Sequence, residues 1–308
     1  MIGALRGKGN NVIHFIIGKD GLWAVEDQQP VAFSDAVPWL VNLAPDAVFI
    51  ALHGGFGEDG HIQGLLDMLR LPYTGSGNAA CALAMDKVRS KAVVQVQGVR
   101  VARHVTFDAE SWRKDPAGAT KLSREIAGMP CVIKAPCQGS SCGLAICFSD
   151  DTFVSLVDQV MPFDGHVMIE EYLKGVEVTC SVLDADPEGR IIALPVTEIR
   201  PKTSAYFDYE AKYTPGASEE ITPAPLPEEI ARKVGEMAIL VHQTIGCSGW
   251  SRSDFIIDAR GPVWLEVNTV PGLTGTSLFP QAAAAAGISY EDLMDLFVQE
   301  AIRRGPRY

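Results

Sequence analysis

The sequence lacks the short motifs that identify several large enzyme classes. It contains no Walker A phosphate loop, no HExxH zinc motif and no GxGxxG following a predicted strand. Its seven cysteines are an odd number without CxxC spacing, which indicates reduced thiols rather than a disulfide framework. Cys137 and Cys142 flank a glycine–serine turn, and we assign them a structural or incidental role.

Long apolar runs and an excess of basic residues are also absent. No run is long enough to span a bilayer, and residues 1–17 lack the apolar core and cleavage site of a signal peptide. The 26 basic and 38 acidic residues give a net charge of −12, which disfavours a broad nucleic-acid surface. We therefore expect a cytoplasmic protein that binds neither nucleic acid nor membrane. Its 308 residues allow two or three domains.

The first segment, residues 1–86, alternates predicted strands with helical spacing. Apolar runs at 12–17, 46–52 and 71–77 predict strands, and the pattern of 62–69 predicts a helix. Alternation of this kind is typical of a parallel sheet covered by helices, so we predict an α/β fold for this segment.

The rest of the chain predicts an α+β arrangement with antiparallel strands, in two segments at 87–177 and 178–308. The predicted helices are 87–97, 150–161, 226–245, one from 277 and 290–304, and the predicted strands are 99–105, 131–136, 144–148, 166–173, 178–183 and 191–197. Residues 201–218 are polar and rich in aromatics, and the length of this stretch favours a functional loop over a linker.

Two further strands near the C-terminus carry the most specific chemical pattern. If residues 258–262 form the hairpin loop, Asp254 lies opposite Glu266 and Arg252 opposite Asn268, all on one face. Carboxylates that face each other repel and destabilise a sheet, unless a hard cation lies between them. We therefore predict a magnesium site on Asp254, Glu266 and Asn268, in a protein that binds a nucleotide triphosphate.

A glycine–serine turn at 139–143 follows Lys134, which ends a predicted strand. The backbone N–H groups of such a turn can form an anion nest, to which Lys134 adds a positive charge. The same residues match the hydrolase pattern GxSxG with Ser141 at its centre, but that pattern requires a helix after the turn, whereas 144–148 predicts a strand. We favour a phosphate-covering hairpin; a hydrolase elbow and a plain surface hairpin stay as alternatives.

Three other features admit both a structural and a functional interpretation. His53 ends a predicted buried strand, where ligands bind in open α/β sheets. Lys212 and Tyr213 lie in the 201–218 loop, whose aromatic residues either fix the loop to its own domain or support a lid over phosphate. Ser277 is a predicted helix N-cap, and the free N–H groups of that helix can bind a carboxylate.

Taken together, seven stretches resemble the ATP-grasp D-alanine–D-alanine ligases. They follow the family's order from about residue 47 to the C-terminus: HGGFGEDGHIQG (53–64), LPYTGSG (71–77) with MDKVRSK (85–91), GSSCG (139–143), IEEYLKGVE (169–177), FDYEAKY (207–213), GCSGWSRSD (246–254) and LEVNTVPGLTGTSL (265–278). The resemblance implies an ATP-grasp fold with three parts, which are a parallel α/β domain at 1–86, a central subdomain at 87–177, and a C-terminal subdomain at 178–308 with the metal site and a lid loop at 201–218.

The resemblance also implies an ATP site between the second and third segments. Glu170 and Leu173 would meet adenine, and Glu177 would bind the ribose hydroxyls. The remaining residues assigned to ATP are Lys87, Lys134 and Lys212, which would hold phosphates, and Ser141. Two magnesium or manganese ions would bind Asp254, Glu266 and Asn268.

The implied reaction is a ligation through an acylphosphate. The carboxylate of one D-alanine attacks the γ-phosphate of ATP, and the amine of a second D-alanine attacks the activated carbonyl. Arg252 and the Gly272 N–H would stabilise the oxyanion that results. Ser277 and the Leu278 N–H would bind the second carboxylate.

Three further residues complete the catalytic set that the resemblance implies. Ser140 would place the first substrate and support the lid that carries Tyr213, and His53 would lie at the same site. Related ligases that accept D-lactate lack a tyrosine at this loop position, so Tyr213 favours an amine nucleophile and therefore D-alanine.

The sequence departs from the family pattern at its start. The family opens with a glycine-rich strand and loop, GGxSxExxVS, whereas residues 1–9 resemble the end of the helix that follows it. The loop's glutamate, which binds the ammonium group of the first substrate, has no counterpart here. We therefore expect an N-terminally shortened ligase that keeps its ATP site but binds the first D-alanine poorly.

Synthesis of D-alanyl-D-alanine for peptidoglycan precursors is the favoured function, and three alternatives stay open. Another ATP-grasp carboxylate–amine ligase would use a different amino acid at either subsite. An ATP-binding remnant would bind nucleotide with little or no ligation, and a hydrolase would act through Ser141 without ATP. The expected partners are the small molecules D-alanine and ATP, and the family is commonly dimeric through its first domain.

Overall fold

The structure is a computed structural model that describes residues 1–139, 142–185, 188–202 and 218–308. The α-helices of the described residues are α1 (Ile2–Gly7), α2 (Phe33–Leu43), α3 (His61–Met68), α4 (Asn78–Met85), α5 (Lys87–Val96), α6 (Ala109–Lys114), α7 (Pro116–Ile126), α8 (Asp150–Val160), α9 (Glu228–Ile245), α10 (Leu278–Ala285) and α11 (Tyr290–Arg304). A 3₁₀ helix, Met161–Phe163, follows α8.

The strands of the described residues are β1 (Phe15–Ile17), β2 (Trp23–Val25), β3 (His104–Asp108), β4 (Cys131–Lys134), β5 (Leu144–Cys147), β6 (His166–Glu171), β7 (Val176–Asp184), β8 (Ile192–Ala193), β9 (Thr197–Pro201), β10 (Ser218–Ile221), β11 (Gly249–Asp258) and β12 (Gly261–Asn268). No helix among the described residues is both long and apolar enough to cross a membrane.

The larger of the described sheets is antiparallel and contains the predicted metal hairpin. Its strand order is β10-β9-β7-β11-β12, and β8 pairs with β7 beside that path. Val178 of β7 pairs with Phe255 of β11, and both are buried in the core against helix α9. Because side chains alternate along a strand, the next pair, Thr179 and Asp254, points to the opposite face. That face carries the candidate site.

A second antiparallel sheet has the strand order β3-β6-β4-β5. Its core joins Ile133 and Ile169 of the strands to Trp112, Phe153 and Val157 of the helices that cover it. The predicted strands at 131–136, 144–148 and 166–173 are confirmed here as β4, β5 and β6. Residues 172–175 join β6 to β7 and so connect the two sheets.

The first segment is less regular than the predicted parallel sheet. The extended stretches 46–52 and 71–77 run side by side but meet in one parallel bridge, between Val48 and Tyr73. The N–H of Ile50 donates to the hydroxyl of Thr74 at 3.0 Å instead of to a backbone carbonyl. The ladder therefore stops after a single step, and the strand predictions for 46–52 and 71–77 were too regular.

Other predicted elements differ mainly at their ends. The predicted strand 99–105 starts later, as β3, because Val101 bridges to Trp264 of the larger sheet instead. The predicted strand 191–197 divides into β8 and β9, which pair with different parts of β7. The predicted strand 12–17 shortens to β1, and the predicted terminal helix 290–304 is confirmed as α11. The description of residues 1–9 as helical agrees with α1.

The β11–β12 hairpin is tighter than predicted, yet it has the predicted register at the site. Asp258 pairs with Gly261, so two residues connect the strands where the sequence predicted a five-residue loop. A register shift between Asp254 and Phe255 then restores the pairing of Asp254 with Glu266 and of Arg252 with Asn268. Such a bulge re-aims neighbouring side chains, which suits a functional site.

Candidate active site

The facing carboxylates of the hairpin each have a cationic partner. The guanidinium of Arg252 donates from Nε and Nη2 to the two oxygens of Asp254, both at 3.0 Å. The Lys87 Nζ lies 2.9 Å from the Glu266 Oε2. These two cations offset the repulsion between Asp254 and Glu266 that the sequence predicted.

Arg252 is charged although its side chain is largely shielded from solvent. Burial lowers the pKa of its guanidinium, but the carboxylates of Asp254 and Glu266 outweigh that effect and raise the pKa above the ordinary value. Arg252 thus supplies a fixed positive charge at the hairpin.

Thr179 is a residue of the site that sequence reasoning missed. Its Oγ1 donates to the Asp254 Oδ1 at 2.6 Å, while the Asn268 Nδ2 lies 3.3 Å from the Asp254 Oδ2. Thr179 lies 75 positions before Asp254 in the chain. The sequence did contain a signal for Thr179. It lies between two apolar residues of a predicted strand, and alternation therefore places its polar side chain on the face opposite the core.

The predicted metal residues fit a hard divalent cation by their chemistry. Two carboxylates and a side-chain amide lie at the end of one hairpin, and oxygen donors of this kind suit magnesium. No cluster of three or more His, Cys, Asp or Glu suited to a metal occurs among the described residues, since the third donor here is Asn268. A cation would take over contacts that Arg252 and Lys87 make with the carboxylates.

Lys87 is held at the start of helix α5 by its neighbour Asp86. The Asp86 carboxylate caps the helix by accepting from the N–H groups of Val88 at 3.0 Å and Arg89 at 2.9 Å. The Lys87 Nζ donates to the carbonyl of Gln138 at 2.8 Å, next to the glycine–serine turn. One ammonium group therefore connects the hairpin carboxylate Glu266 with Gln138, the residue before the glycine–serine turn.

A buried cluster of three charges lies behind Lys87. The Glu170 carboxylate contacts the Lys134 Nζ at 2.5 Å and the Lys91 Nζ at 2.6 Å. Burial raises the pKa of Glu170, but the two ammonium groups outweigh it and bring the pKa to about 2. Lys91 was missed, although its spacing of four from Lys87 placed both on one helix face.

The residues predicted to contact adenine and ribose lie at the junction of the two sheets. Glu170 lies on β6, Leu173 lies between β6 and β7, and Glu177 lies on β7. Glu177 lines a cavity of about 110 Å³ together with Lys87, Lys134, Asp254 and Glu266. The structure thus brings the predicted ribose residue, two of the predicted phosphate residues and two of the three predicted metal residues to one small cavity.

A larger cavity, of about 440 Å³, adjoins the small one and shares Lys87 and Glu266 with it. Its lining includes the other predicted catalytic and substrate residues of the described chain, which are His53, Arg252, Gly272, Ser277 and Leu278. Asn268 lines it as well. The hairpin carboxylate Glu266 therefore stands between two cavities.

His53 lies beside Glu58, which sequence reasoning also missed. The His53 Nδ1 is 3.9 Å from the Glu58 Oε1, and the Glu58 Oε2 accepts from the Gly54 N–H at 2.9 Å. Pairing with Glu58 raises the pKa of His53, and burial only partly opposes this. The signal in the sequence was an acidic pair close after a histidine in a glycine-rich turn.

Ser277 occupies the predicted N-cap position of helix α10, but its hydroxyl does not cap the helix. The Ser277 Oγ accepts from the Thr274 N–H at 3.1 Å and lies 2.7 Å from the Thr274 Oγ1. A side chain at Gly272 would meet the Ser277 Oγ at 2.9 Å, so glycine keeps this turn close. The first N–H groups of α10, beginning with Leu278, are left available for an anion at the cavity.

Four predicted site residues, Ser140, Ser141, Lys212 and Tyr213, lie outside the described residues. The strand β5 that follows the 139–143 turn pairs antiparallel with β4. A nucleophile elbow requires a helix at that position, so the hydrolase interpretation is wrong for this turn.

Comparison with protein families matches most of the chain. A family model described as D-ala D-ala ligase C-terminus matches residues 93–299, and one described as D-ala D-ala ligase N-terminus matches residues 40–76.

Curated relatives with the name D-alanine–D-alanine ligase align over most of this chain. One from Pelotomaculum thermopropionicum is 42% identical over 260 residues, covering 83% of this chain and 80% of the relative. One from Leptospira interrogans is 38% identical over 323 residues, covering 96% and 90%.

Solved structures give the same result. The D-alanine–D-alanine ligase of Bacillus anthracis complexed with ATP superposes with a TM-score of 0.71 at 32% identity, covering 87% of this chain and 83% of that one. A D-Ala:D-Ser ligase from Enterococcus faecalis superposes with a TM-score of 0.75 at 29% identity, covering 94% and 80%.

Proposed function

The chain belongs to the D-alanine–D-alanine ligase family, and we propose that the two adjoining cavities carry out the family's reaction. It is an ATP-dependent carboxylate–amine ligase that joins two D-alanines. The family implies that the dipeptide serves peptidoglycan synthesis. The observation that supports these roles most is that the small cavity and the larger cavity share Lys87 and Glu266 in their linings.

The smaller cavity and its surroundings are the proposed nucleotide site. Glu170 and the backbone near Leu173 bind adenine, and Glu177 binds the ribose. Lys87 and Lys134 hold phosphates; the same role is proposed for Lys212, and Ser141 is placed at the phosphates by its motif. Both described lysines already lie against carboxylates, so their side chains exchange an acidic partner for a phosphate.

The proposed metal ligands are Asp254, Glu266 and Asn268. Magnesium or manganese, in two ions, would supply charge neutralisation for the transferring phosphoryl group. Thr179 and Arg252 hold Asp254 in its orientation from two sides, which keeps its oxygens at the boundary of the cavities.

The larger cavity is the proposed place of carboxylate activation and amide formation. The carboxylate of the first D-alanine attacks the γ-phosphate, which gives an acylphosphate and ADP. The amine of the second D-alanine then attacks the acyl carbon, and phosphate leaves with one oxygen of the original carboxylate. Arg252 and the Gly272 N–H stabilise the oxyanion between these steps.

The remaining residues of the cavity position the amino acids. Ser277 and the Leu278 N–H bind the carboxylate of the second D-alanine at the start of helix α10. His53 lines the same cavity beside Glu58, and its imidazole supplies positive charge there when it is protonated. Ser140 and Tyr213 are proposed, from their motifs, to place the first substrate and close the lid.

Phosphate release from Mg-ATP by the purified chain, with and without D-alanine, tests this function when the product is identified by mass. We expect phosphate that depends on D-alanine, with one dipeptide formed for each phosphate. Replacing Arg252→Lys keeps the charge but removes the two-pronged contact with Asp254, and we expect kcat to fall about 100-fold.

The matched control is Arg124→Lys, which alters a surface pair with Asp150 at 2.8 Å on the helices of the smaller sheet. It should leave kcat unchanged. ATP binding without any phosphate that depends on D-alanine would instead support the nucleotide-binding remnant, and would contradict the ligase.

A second amino acid other than D-alanine is the alternative that a comparison favours, because one structural neighbour is a D-Ala:D-Ser ligase. To distinguish D-alanine from another second substrate, the chain is supplied with D-alanine together with D-serine, D-lactate or glycine. The products are then identified by mass spectrometry. We expect D-alanyl-D-alanine to dominate.

We also propose where the chain acts, how it divides into parts and which oligomer it forms. The chain acts in the cytoplasm, where its cosubstrate ATP is found. It divides at about residues 86 and 177 into three parts, with a lid at 201–218. It forms a homodimer through the first part, where helix α2 exposes Phe33, Val41 and Leu43. Light scattering of the purified chain tests the last of these.

A further inference from the structure

Lys91 is a charged side chain of the core for which the proposed chemistry has no use. It is fully buried on helix α5, and its Nζ lies 2.6 Å from the Glu170 Oε1 and 5.8 Å from the centre of the Trp264 ring. A buried lysine is costly unless a partner offsets the lost hydration. The cost of burying Lys91 suggests that its charge has a role in the protein.

The two lysines that contact Glu170 differ in their access to the cavities. Lys134 lines the small cavity and contacts the Glu170 Oε2, whereas Lys91 lines neither cavity and contacts the Oε1. A ligand that enters the small cavity can therefore reach Lys134 but not Lys91. Glu170 therefore contacts an accessible lysine, Lys134, through one carboxylate oxygen and an inaccessible lysine, Lys91, through the other.

We propose that Lys91 is a positioning residue for nucleotide binding, acting through Glu170. This inference rests on the proposed function, because it takes Lys134 as a phosphate ligand. Lys91 keeps Glu170 ionised and in place while Lys134 moves from the Glu170 Oε2 to a phosphate. The Oε2 is then free to accept a hydrogen bond from the base.

The charges in the cluster give the reason. With Lys91 present, departure of Lys134 leaves Glu170 with one ammonium partner, and the buried carboxylate stays neutralised. Without Lys91, the same movement leaves the buried carboxylate with neither lysine in contact, and the nearby Lys87 is already paired with Glu266. Such a loss of contacts is strongly unfavourable. Lys134 would then stay on Glu170, and phosphate binding would lose that contact.

Nucleotide binding by the Lys91→Met variant tests the proposal, because methionine keeps an unbranched side chain and removes the charge. We expect the Kd for ATP to rise about tenfold or more. The Kd for adenosine, which brings no phosphate to Lys134, should rise much less. Activity at saturating ATP should fall much less than affinity, so the defect appears in KM for ATP rather than in kcat.

The control for loss of core packing is Val94→Ala, a buried apolar position of the same helix that belongs to the hydrophobic core and carries no charge. This variant should lower the melting temperature and leave both Kd values unchanged. Equal weakening of ATP and adenosine in Lys91→Met, or unchanged ATP affinity, would overturn the proposal.

A second comparison keeps the proposal testable if Lys91→Met does not fold. In a Glu170→Gln background there is no carboxylate for Lys91 to neutralise. Adding Lys91→Met to that background should therefore change the Kd for ATP less than twofold. A rise of about tenfold or more in that background would overturn the assigned role.

These binding measurements are separate from the test of the reaction. If the chain binds ATP but makes no dipeptide, the ligase assignment fails while the prediction for Lys91 can still succeed. If the dipeptide is made and Lys91→Met binds ATP normally, the ligase stands and the inference about Lys91 fails.

Discussion

Thr179 holds Asp254 from the neighbouring strand with a single hydroxyl. The same Oγ1 also lies 3.1 Å from the carbonyl of Ser253, so the hydroxyl is fixed between two groups of β11. Partners of this kind orient a metal-binding carboxylate and increase metal affinity.

Replacing Thr179→Val removes this hydrogen bond and keeps the shape of the side chain. We expect the Mg²⁺ concentration for half-maximal phosphate release to rise about tenfold. The measurement is the rate of release as a function of Mg²⁺ at saturating ATP and D-alanine.

Thr197 provides the matched control, since it pairs with Thr179 in the same sheet and its hydroxyl bonds to Thr222 at 2.6 Å. Thr197→Val should lower stability without changing the Mg²⁺ requirement. Equal effects from the two variants would show that the hydroxyl of Thr179 does not act through Asp254.

Glu170 makes the free energy of unfolding depend on pH in the acidic range. Its pKa is about 2 in the folded chain against an ordinary value of 4.5, because the two lysines outweigh the effect of burial. Between these values the unfolded chain binds more protons, so the free energy of unfolding falls as pH drops from about 4.5 to 2. The contribution is fully present above pH 4.5.

Urea denaturation at a series of pH values measures this contribution. The Glu170→Gln variant cannot titrate at this position, so its stability should fall less steeply over that range than that of the unmodified chain. Parallel curves for the two proteins would contradict the assignment.

Two of the residues that sequence reasoning missed, Lys91 and Thr179, share one property. Arg252, Asp254 and Glu266 were predictable because they lie on two adjacent strands, where alternation fixes the face. Lys91 and Thr179 contact partners on other elements, Glu170 and Asp254, that are far away in the chain. Only the packed structure brings such pairs together.

Among the elements, the start of helix α5 matters most for the site. Asp86 caps the helix through two backbone N–H groups, and the first helical residue is Lys87. The cap therefore fixes the position from which the lysine reaches Glu266.

Asp86→Ala should lower the free energy of unfolding by about 1 kcal/mol through loss of the cap. It should also raise the KM for ATP severalfold, because the base of Lys87 loses its fixed position. Asp108→Ala, which removes the side-chain cap of helix α6, is the control. It should cost similar stability and leave KM unchanged; a normal KM in both variants would contradict the role of the cap.

Elements were predictable where a local pattern decides them. The register of β11 and β12 followed from alternation, although two errors cancelled, because the tighter turn and the bulge each shift the pairing by one residue. The stretch 46–52 has an apolar strand-like sequence, yet the hydroxyl of Thr74 takes the N–H that a longer ladder needs. That competition is a tertiary contact and leaves no mark in the local sequence.

At the scale of the whole molecule, the site forms where separate parts of the chain meet. Lys87 precedes the smaller sheet, Lys134 and Glu170 lie on it, and Asp254 and Glu266 lie on the larger one. The order of motifs in the sequence predicted this assembly through resemblance to the family. The sizes of the two cavities and their shared boundary at Glu266 come from the packing of strands, helices and loops, which the local sequence does not show.

The central claim is that this chain activates the carboxylate of D-alanine by phosphoryl transfer. In the most direct test, the chain is given Mg-ATP and D-alanine labelled with ¹⁸O in its carboxylate. The mass of the released phosphate is then measured by mass spectrometry. An acylphosphate pathway predicts one ¹⁸O atom in each phosphate, because that oxygen leaves with the phosphoryl group when the amide forms. Unlabelled phosphate would mean that water, and not D-alanine, receives the phosphoryl group, and would contradict the account.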